Sequence, residues 1–285
     1  MITKKECIIN MCKLLRQLKQ DRLSKKFEEV VKEVLGVKNK NIGFNKEILP
    51  KEIKRKDDKF DLLCKTNTKG KPMYLVDKVV ATIEIIDKVY IKYINNAIYD
   101  KNKDSLVQDK NKLYCIEDKS LPAIVLILES PHREEFKYNH IAIGHTGSNI
   151  SDYFLSNLAN ILTYSTNKES IYYRNKCLID NNTYRLIIAN PIQYQCSLGI
   201  EKSPYKKEIF EKCWNCDEFR DDFISRIKSY KPSLIINCCT GQVNHELSGL
   251  QGLVQKEINK HFYAIPKMYG YHPSSDHFTK GFKLI

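Results

Sequence analysis

Apolar residues recur at helical spacing near the start of the chain, where Ile8, Ile9, Cys12, Leu15, Leu18, Phe27, Val30, Val31 and Val34 precede Gly36. The pattern predicts one or two amphipathic helices over residues 5–35, ended by a glycine cap. Residues 37–72 are polar and charged and carry a Lys69-Gly70-Lys71-Pro72 break, which predicts a surface loop or hinge. From Val76 to Ile98 the positions Val79, Val80, Ile83, Ile86, Val89, Tyr90, Tyr93, Ile94 and Ala97 fit a helix face better than strict alternation. A helix is therefore expected there, although the β-branched content pulls toward strand. Residues 100–120 are polar again, and the boundary between a basic, mostly helical N-terminal region (1–120) and a second domain (121–285) is expected there.

Beyond residue 120 short apolar runs alternate with longer helical segments. Strands are predicted at Ala123 to Leu128, Tyr184 to Ala189, Leu234 to Ile236 and Phe262 to Met268. Helices are predicted at 150–162, 205–229 and about 242–259. The expected fold class is α/β: a three-layer α/β/α domain with a mainly parallel four-stranded sheet, plus a largely helical basic N-terminal extension. In such a sheet ligands bind outside the carboxyl ends of the strands. Those ends carry Glu129-Ser130-Pro131-His132, Asn190-Pro191, Asn237 to Gln242, and Tyr271-His272-Pro273-Ser274.

Charge changes the picture in one respect. Of the 47 Lys and Arg residues, 28 lie in residues 1–120 against 18 of the 34 Asp and Glu, so most of the +13 net charge sits at the front. Such a segment suits phosphate contacts and points to a nucleic acid as partner, although a lysine-rich composition throughout supplies a blander cause. The absence of a long apolar run or signal-like start predicts no membrane segment and a cytoplasmic protein. Ten cysteines then read as reduced thiols, metal ligands or small core residues rather than a disulfide framework.

Read in order, the strand-end motifs resemble the uracil-DNA glycosylase superfamily. Leu128-Glu129-Ser130-Pro131-His132 is similar to its first motif, G-Q-D-P-Y in the best-known members and G-E-A-P-G in the iron–sulfur branch. Ile143 to Ile150 resembles the V-G-R-S-G-x-x-L stretch of that branch, and Arg185 to Asn190 the strand whose terminal asparagine reads the base edge. Pro232 to Gln242 resembles the P-x-v-i-v-x-L-G segment, while His272-Pro273-Ser274, followed by Lys280-Gly281-Phe282, resembles the closing H-P-S motif. The resemblance covers about residues 121–285. It implies a DNA glycosylase that hydrolyses the N-glycosidic bond of a flipped-out base and leaves an abasic site.

That reaction builds positive charge on the sugar and negative charge on the departing base. His272 is the expected donor to the leaving base and Glu129 the carboxylate that orients water. Asn190, Ser130, His132 and Ala142 are expected at the base. His145, Thr146, Gly147, Ser148, Ser274 and Phe278 are expected at the DNA, with Phe278 as the apolar wedge that fills the gap left by base flipping. Plainer readings stand beside these: a salt-bridged Glu129, a turn-forming Asn190, capping residues at 146–148 and a core role for any aromatic.

Two departures from the family pattern bear on the substrate. Ser130 stands where uracil-specific members have an aspartate, and Ala142 where the iron–sulfur branch has a phenylalanine that stacks on uracil. Tyr138 or Tyr194 would have to stack instead. Together these favour a modified pyrimidine, such as glucosylated hydroxymethylcytosine of phage DNA in an anti-phage role. Ordinary uracil repair, an inactive DNA-binding member of the fold and hydrolysis of free nucleosides are the alternatives. Cys196, Cys213 and Cys216 fall near cluster-ligand positions of the iron–sulfur branch, but only Cys64 and Cys115 are at hand to complete the set, so no cofactor is expected.

Overall fold

The structure, a computed structural model, describes residues 4–36, 74–86, 90–96, 98, 118–132, 135–136, 140–164, 182–198, 203–241 and 249–285. By contacts the chain divides into two compact units, Met1–Tyr74 with Tyr194–Phe219 and Leu75–Gln193 with Arg220–Ile285. The loop or hinge expected over residues 37–72, Tyr138, Cys64, Cys115 and Gln242 lie outside the described residues.

In the first unit, α1 (Lys4–Val34) is one continuous helix. Gly36 ends it at φ 67°, with its N–H bonded to Glu33 O at 3.1 Å, a left-handed cap that glycine adopts without a Cβ penalty. Leu23, Phe27, Val30 and Val31 are buried, whereas Leu15 and Leu18 are more than half exposed. The helix packs on α2 (Lys206–Asn215), whose Ile209, Phe210, Cys213 and Trp214 are buried. Tyr194 fills the same core. It stacks on Phe27 with centroids 4.8 Å apart, and its hydroxyl meets Ser24 Oγ at 3.0 Å.

The second unit is built on a seven-stranded mixed sheet. Its strands are β1 (Lys78–Ile86), β2 (Tyr90–Asn96), β3 (Ala123–Ile127), β4 (Asn182–Ala189), β5 (Pro232–Asn237), β6 (Lys267–Tyr269) and β7 (Lys283–Leu284), in the order β2-β1-β4-β3-β5-β6-β7. The four expected strands form the parallel middle, β4-β3-β5-β6. Antiparallel pairs add β1 and β2 at one edge and β7 at the other. Helices α3 (His145–Tyr164), α4 (Asp217–Ser229) and α5 (Gly249–His261) complete the set, so residues 205–229 hold two helices rather than one.

The expected helix over residues 76–98 is instead the β1–β2 strand pair. Val80, Ala81, Thr82, Ile83 and Ile85 are all buried, so both faces of β1 are covered and the alternation that marks a half-exposed strand is missing. Pairing with β4 places these residues in the sheet, not in a helical extension. The final strand is also shorter than expected. Phe262 still closes α5 through its N–H to Ile258 O, and pairing with β5 starts only at Pro266 O, which accepts the Ile235 N–H at 3.1 Å.

Buried polar side chains lock these elements. Asn237 Nδ2 donates to Gln251 O and Gln255 Oε1, while Gln251 Nε2 donates to Asn237 O and Gly270 O, tying β5, α5 and the end of β6 together. Arg185, 3% exposed, joins the start of β3 to the end of α4 through Leu121 O and Tyr230 O, both at 2.9 Å.

Candidate active site

The parallel register sets Ile127 abreast of Ala189 and Asn237, and Asn237 abreast of Tyr269, so all four strand ends open on one edge. β4 and β5 flank β3 on opposite sides, which makes the gap between β3 and β5 the switch point where α/β sheets hold ligands. Strand spacing of about 4.8 Å puts the β3 and β6 ends about 10 Å apart, wide enough for a base.

Glu129, directly after β3, is 1% exposed, and its Oε2 accepts the Thr240 hydroxyl from beyond β5. Its backbone carbonyl accepts the Ile192 N–H at 3.5 Å, which joins the β3 and β4 end loops. Asn190 is likewise 1% exposed. Its backbone N–H donates to Asp77 Oδ1, while its side-chain Nδ2 has no hydrogen-bond partner among the described residues. The Ser130 hydroxyl is in the same state. Unpaired buried donors are few in folded proteins, and a bound ligand is one of the things that completes them.

His272 stands after β6 with its tautomer set by its own loop. Nδ1 accepts the Ser274 N–H at 3.1 Å and lies 2.8 Å from Ser274 Oγ. A neutral ring whose Nδ1 accepts a backbone proton carries its own proton on Nε2, so Nε2 is a donor. Two amides of α3 hold this loop from behind. Asn149 Nδ2 donates to Pro273 O at 2.6 Å, and Asn157 Nδ2 donates to Phe278 O at 2.8 Å.

The chain matches no family model, no curated protein and no solved structure. The site is therefore judged on its own geometry.

The α3 N-terminus brings the second motif beside the closing one. Gly144, at φ 71°, accepts the Ser148 N–H at 3.0 Å and starts the helix. Exposed His145 opens it, with Nε2 3.2 Å from Asn149 Nδ2 and 3.9 Å from Asp276 Oδ1. Thr146 is half-buried, Gly147 is buried, and the Ser148 hydroxyl is buried with no partner among the described residues. The first turn carries no acidic side chain of its own, so none of its residues offsets the positive end of the helix dipole.

Three expected roles need correction. Phe278 is 1% exposed and packs edge-on to Phe282 with centroids 5.8 Å apart. It is a core residue of the 3₁₀ turn Asp276–Lys280, not a free wedge. Tyr194 belongs to the core of the first unit and is not a stacking platform. Ala142 is only 1% exposed and takes φ 56°, so its methyl is covered by protein instead of facing an open space. His132 is exposed, and its backbone N–H donates to Glu135 Oε2 at 2.5 Å.

Glu135 escaped notice in the sequence as one of several charged residues after Pro131. It is buried, and besides His132 it accepts the Ala142 N–H, so one carboxylate spans the loop from the first motif to the second. Burial pushes its carboxyl up to about 7 against the lowering effect of the two backbone donors. Thr240, Asn149 and Asp77 were missed too. Each acts on a neighbour in space that is distant in sequence, a relation no local motif encodes.

Cys196, Cys213 and Cys216 lie in the first unit as free thiols. Burial, with Cys196 and Cys216 nearby, pushes the Cys213 thiol well up. Cys216 Sγ donates to Lys212 O at 3.3 Å. Among the described residues no His, Cys, Asp and Glu group is placed to hold a metal ion. No helix among the described residues is long and apolar enough to cross a membrane.

Proposed function

We propose that the chain is a DNA glycosylase that hydrolyses the N-glycosidic bond of a flipped-out pyrimidine and leaves an abasic site. The observation that carries this reading is the His272 ring, whose Nδ1 accepts the Ser274 N–H and whose Nε2 is therefore a fixed donor at the end of the parallel sheet. As the C1′–N bond breaks, its electron pair moves onto the base, and Nε2–H stabilises the charge at a ring carbonyl. A donor fixed before the reaction needs no reorganisation and acts strongly in a water-poor site. Glu129, its Oε2 held by Thr240, orients the water whose oxygen joins C1′ and accepts the proton released. Asn190 offers a donor and an acceptor to the base edge.

The favoured substrate class is a modified pyrimidine, with glucosylated hydroxymethylcytosine of phage DNA as the leading case and anti-phage defence as the role. Ser130 supports this, since it is smaller than the aspartate that uracil-specific members of the resembled superfamily carry, whereas the buried Ala142 opens no space. DNA is the proposed partner, and the excess of basic residues in the first 120 positions supports it. Incubation with DNAs bearing uracil, hydroxymethylcytosine or its glucosylated form tests the reading. Released modified base with alkali-labile sites is the expected result, and uracil release alone would replace the modified base with ordinary repair. A second reading, a DNA-binding protein without hydrolysis, is favoured by Ser130 at the aspartate position and predicts binding with no released base.

A further inference from the structure

We infer that the buried pair Asp77–Arg226 is a positioning device that fixes the direction of Asn190 and so decides which pyrimidine edge the site accepts. This rests on the reading of Asn190 as the base-edge contact.

The pair grips Asn190 by both backbone groups. Asp77 Oδ1 accepts the Asn190 N–H at 3.2 Å, and Arg226 Nη2 donates to Asn190 O at 3.0 Å and to Pro191 O at 3.4 Å. The two clamping residues are themselves ion-paired, with side chains 1% and 14% exposed for Asp77 and Arg226. Further bonds hold the clamp: Gln193 Nε2 to Asp77 Oδ1 at 3.2 Å, Tyr230 hydroxyl to Asp77 Oδ2 at 2.9 Å, and Arg226 Nε to Asp222 Oδ2 at 2.7 Å. A residue held at its N–H and its C=O has little freedom in φ or ψ, so the Cα–Cβ direction is set before any ligand arrives.

The composition of the clamp is informative. A guanidinium spreads its donors over a rigid plane and here reaches two carboxylates and two carbonyls at once, which a lysine ammonium has neither the span nor the donors to do. Buried ion pairs are seldom the most stable solution for a core, so their retention beneath a strand end favours a geometric purpose. The clamp also leaves the Asn190 Nδ2 buried with no partner among the described residues. An unclamped loop would relax and let that donor find a protein acceptor.

The chemical consequence is a choice between pyrimidine edges. A 4-keto base such as uracil presents N3–H and an O4 acceptor, whereas a 4-amino base such as cytosine presents an N3 acceptor and an amino donor. One carboxamide orientation matches each. With the Asn190 backbone fixed, the Cα–Cβ vector brings the carboxamide to the base edge at one place and angle, its buried Nδ2 needs an acceptor there, and an edge that offers none leaves a buried donor facing a donor.

The test compares kcat/KM for release of a 4-keto and a 4-amino pyrimidine from otherwise identical DNA. The variants are Arg226→Lys, Asp77→Asn and Tyr230→Phe, each checked for folding by thermal melting. The expected result is that Arg226→Lys and Asp77→Asn shrink the ratio between the two bases by at least about tenfold, chiefly by slowing the preferred base. Tyr230→Phe, which removes one bond to Asp77 and is the variant most certain to fold, is expected to shrink it about two- to threefold. Equal slowing of both bases, or an unchanged ratio in every folded variant, would overturn the inference while leaving the glycosylase reading intact. A wild-type protein that releases neither base, nor glucosylated hydroxymethylcytosine, defeats the glycosylase reading itself.

Discussion

At the scale of single residues, the site depends on how few side chains fix the polarity of the reacting groups. His272 needs no partner carboxylate to select its tautomer, because the Ser274 N–H two residues on does so. A proline at 274 would delete that N–H. Ser274→Pro is accordingly expected to reduce base release by tenfold or more, whereas Ser274→Ala, which keeps the N–H, should cost a few-fold at most; steady-state kcat for both variants checks this. Glu135 supplies a second residue-scale prediction. Its carboxyl is raised to about 7 by burial, so between the ordinary carboxylate range and about 7 the folded chain holds a proton that the unfolded chain has lost. Its stabilising contribution is full below that window and is lost as the pH rises through about 7, a swing on the order of 3 kcal/mol. Urea titrations of wild type and Glu135→Gln from pH 4 to 8 should show this fall in the wild type and its absence in the variant.

At the scale of elements, the closing motif is held by the core beneath it. Phe282, of the Lys280-Gly281-Phe282 signature, packs edge-on against Phe154 of α3 at 5.6 Å and against Phe278. Phe278→Ala should therefore destabilise the protein by about 3–5 kcal/mol, which denaturant unfolding measures. A wedge would instead lose activity at unchanged stability. Gly270 belongs to the same packing, since a Cβ there would lie 2.8 Å from Phe282 Cδ1 and 3.4 Å from Cys238 Sγ. Gly270→Ala is expected to cost about 1–3 kcal/mol through forced displacement of that ring.

The elements also show what was legible beforehand. Strands β3, β4 and β5 were readable because runs such as Ala123 to Ile127 are uniformly apolar and fully buried. The placement of Glu129, Asn190 and His272 at strand ends was readable because they lie two, one and three residues beyond a parallel strand. The β1–β2 pair was not, since a strand covered on both faces has no period-two signal and its partner β4 lies about a hundred residues downstream. The same distance hid Asp77, whose partners Asn190 and Arg226 are 113 and 149 positions away.

For the whole molecule, charge bears on the proposed encounter with DNA. A net charge of +13 with its excess in the first 120 residues predicts binding that weakens steeply with salt. If roughly six phosphates are neutralised, log K against log salt should slope near −5, and a slope near zero would remove electrostatic capture from the account. The catalytic claim is separable from that. It is tested most directly by mass-spectrometric detection of free base released from duplexes carrying uracil, hydroxymethylcytosine or glucosylated hydroxymethylcytosine, with wild type beside His272→Ala and Glu129→Ala. The account predicts release of a modified base by the wild type and a loss of at least about a hundredfold in each variant. Wild type and both variants behaving alike on every duplex would contradict it.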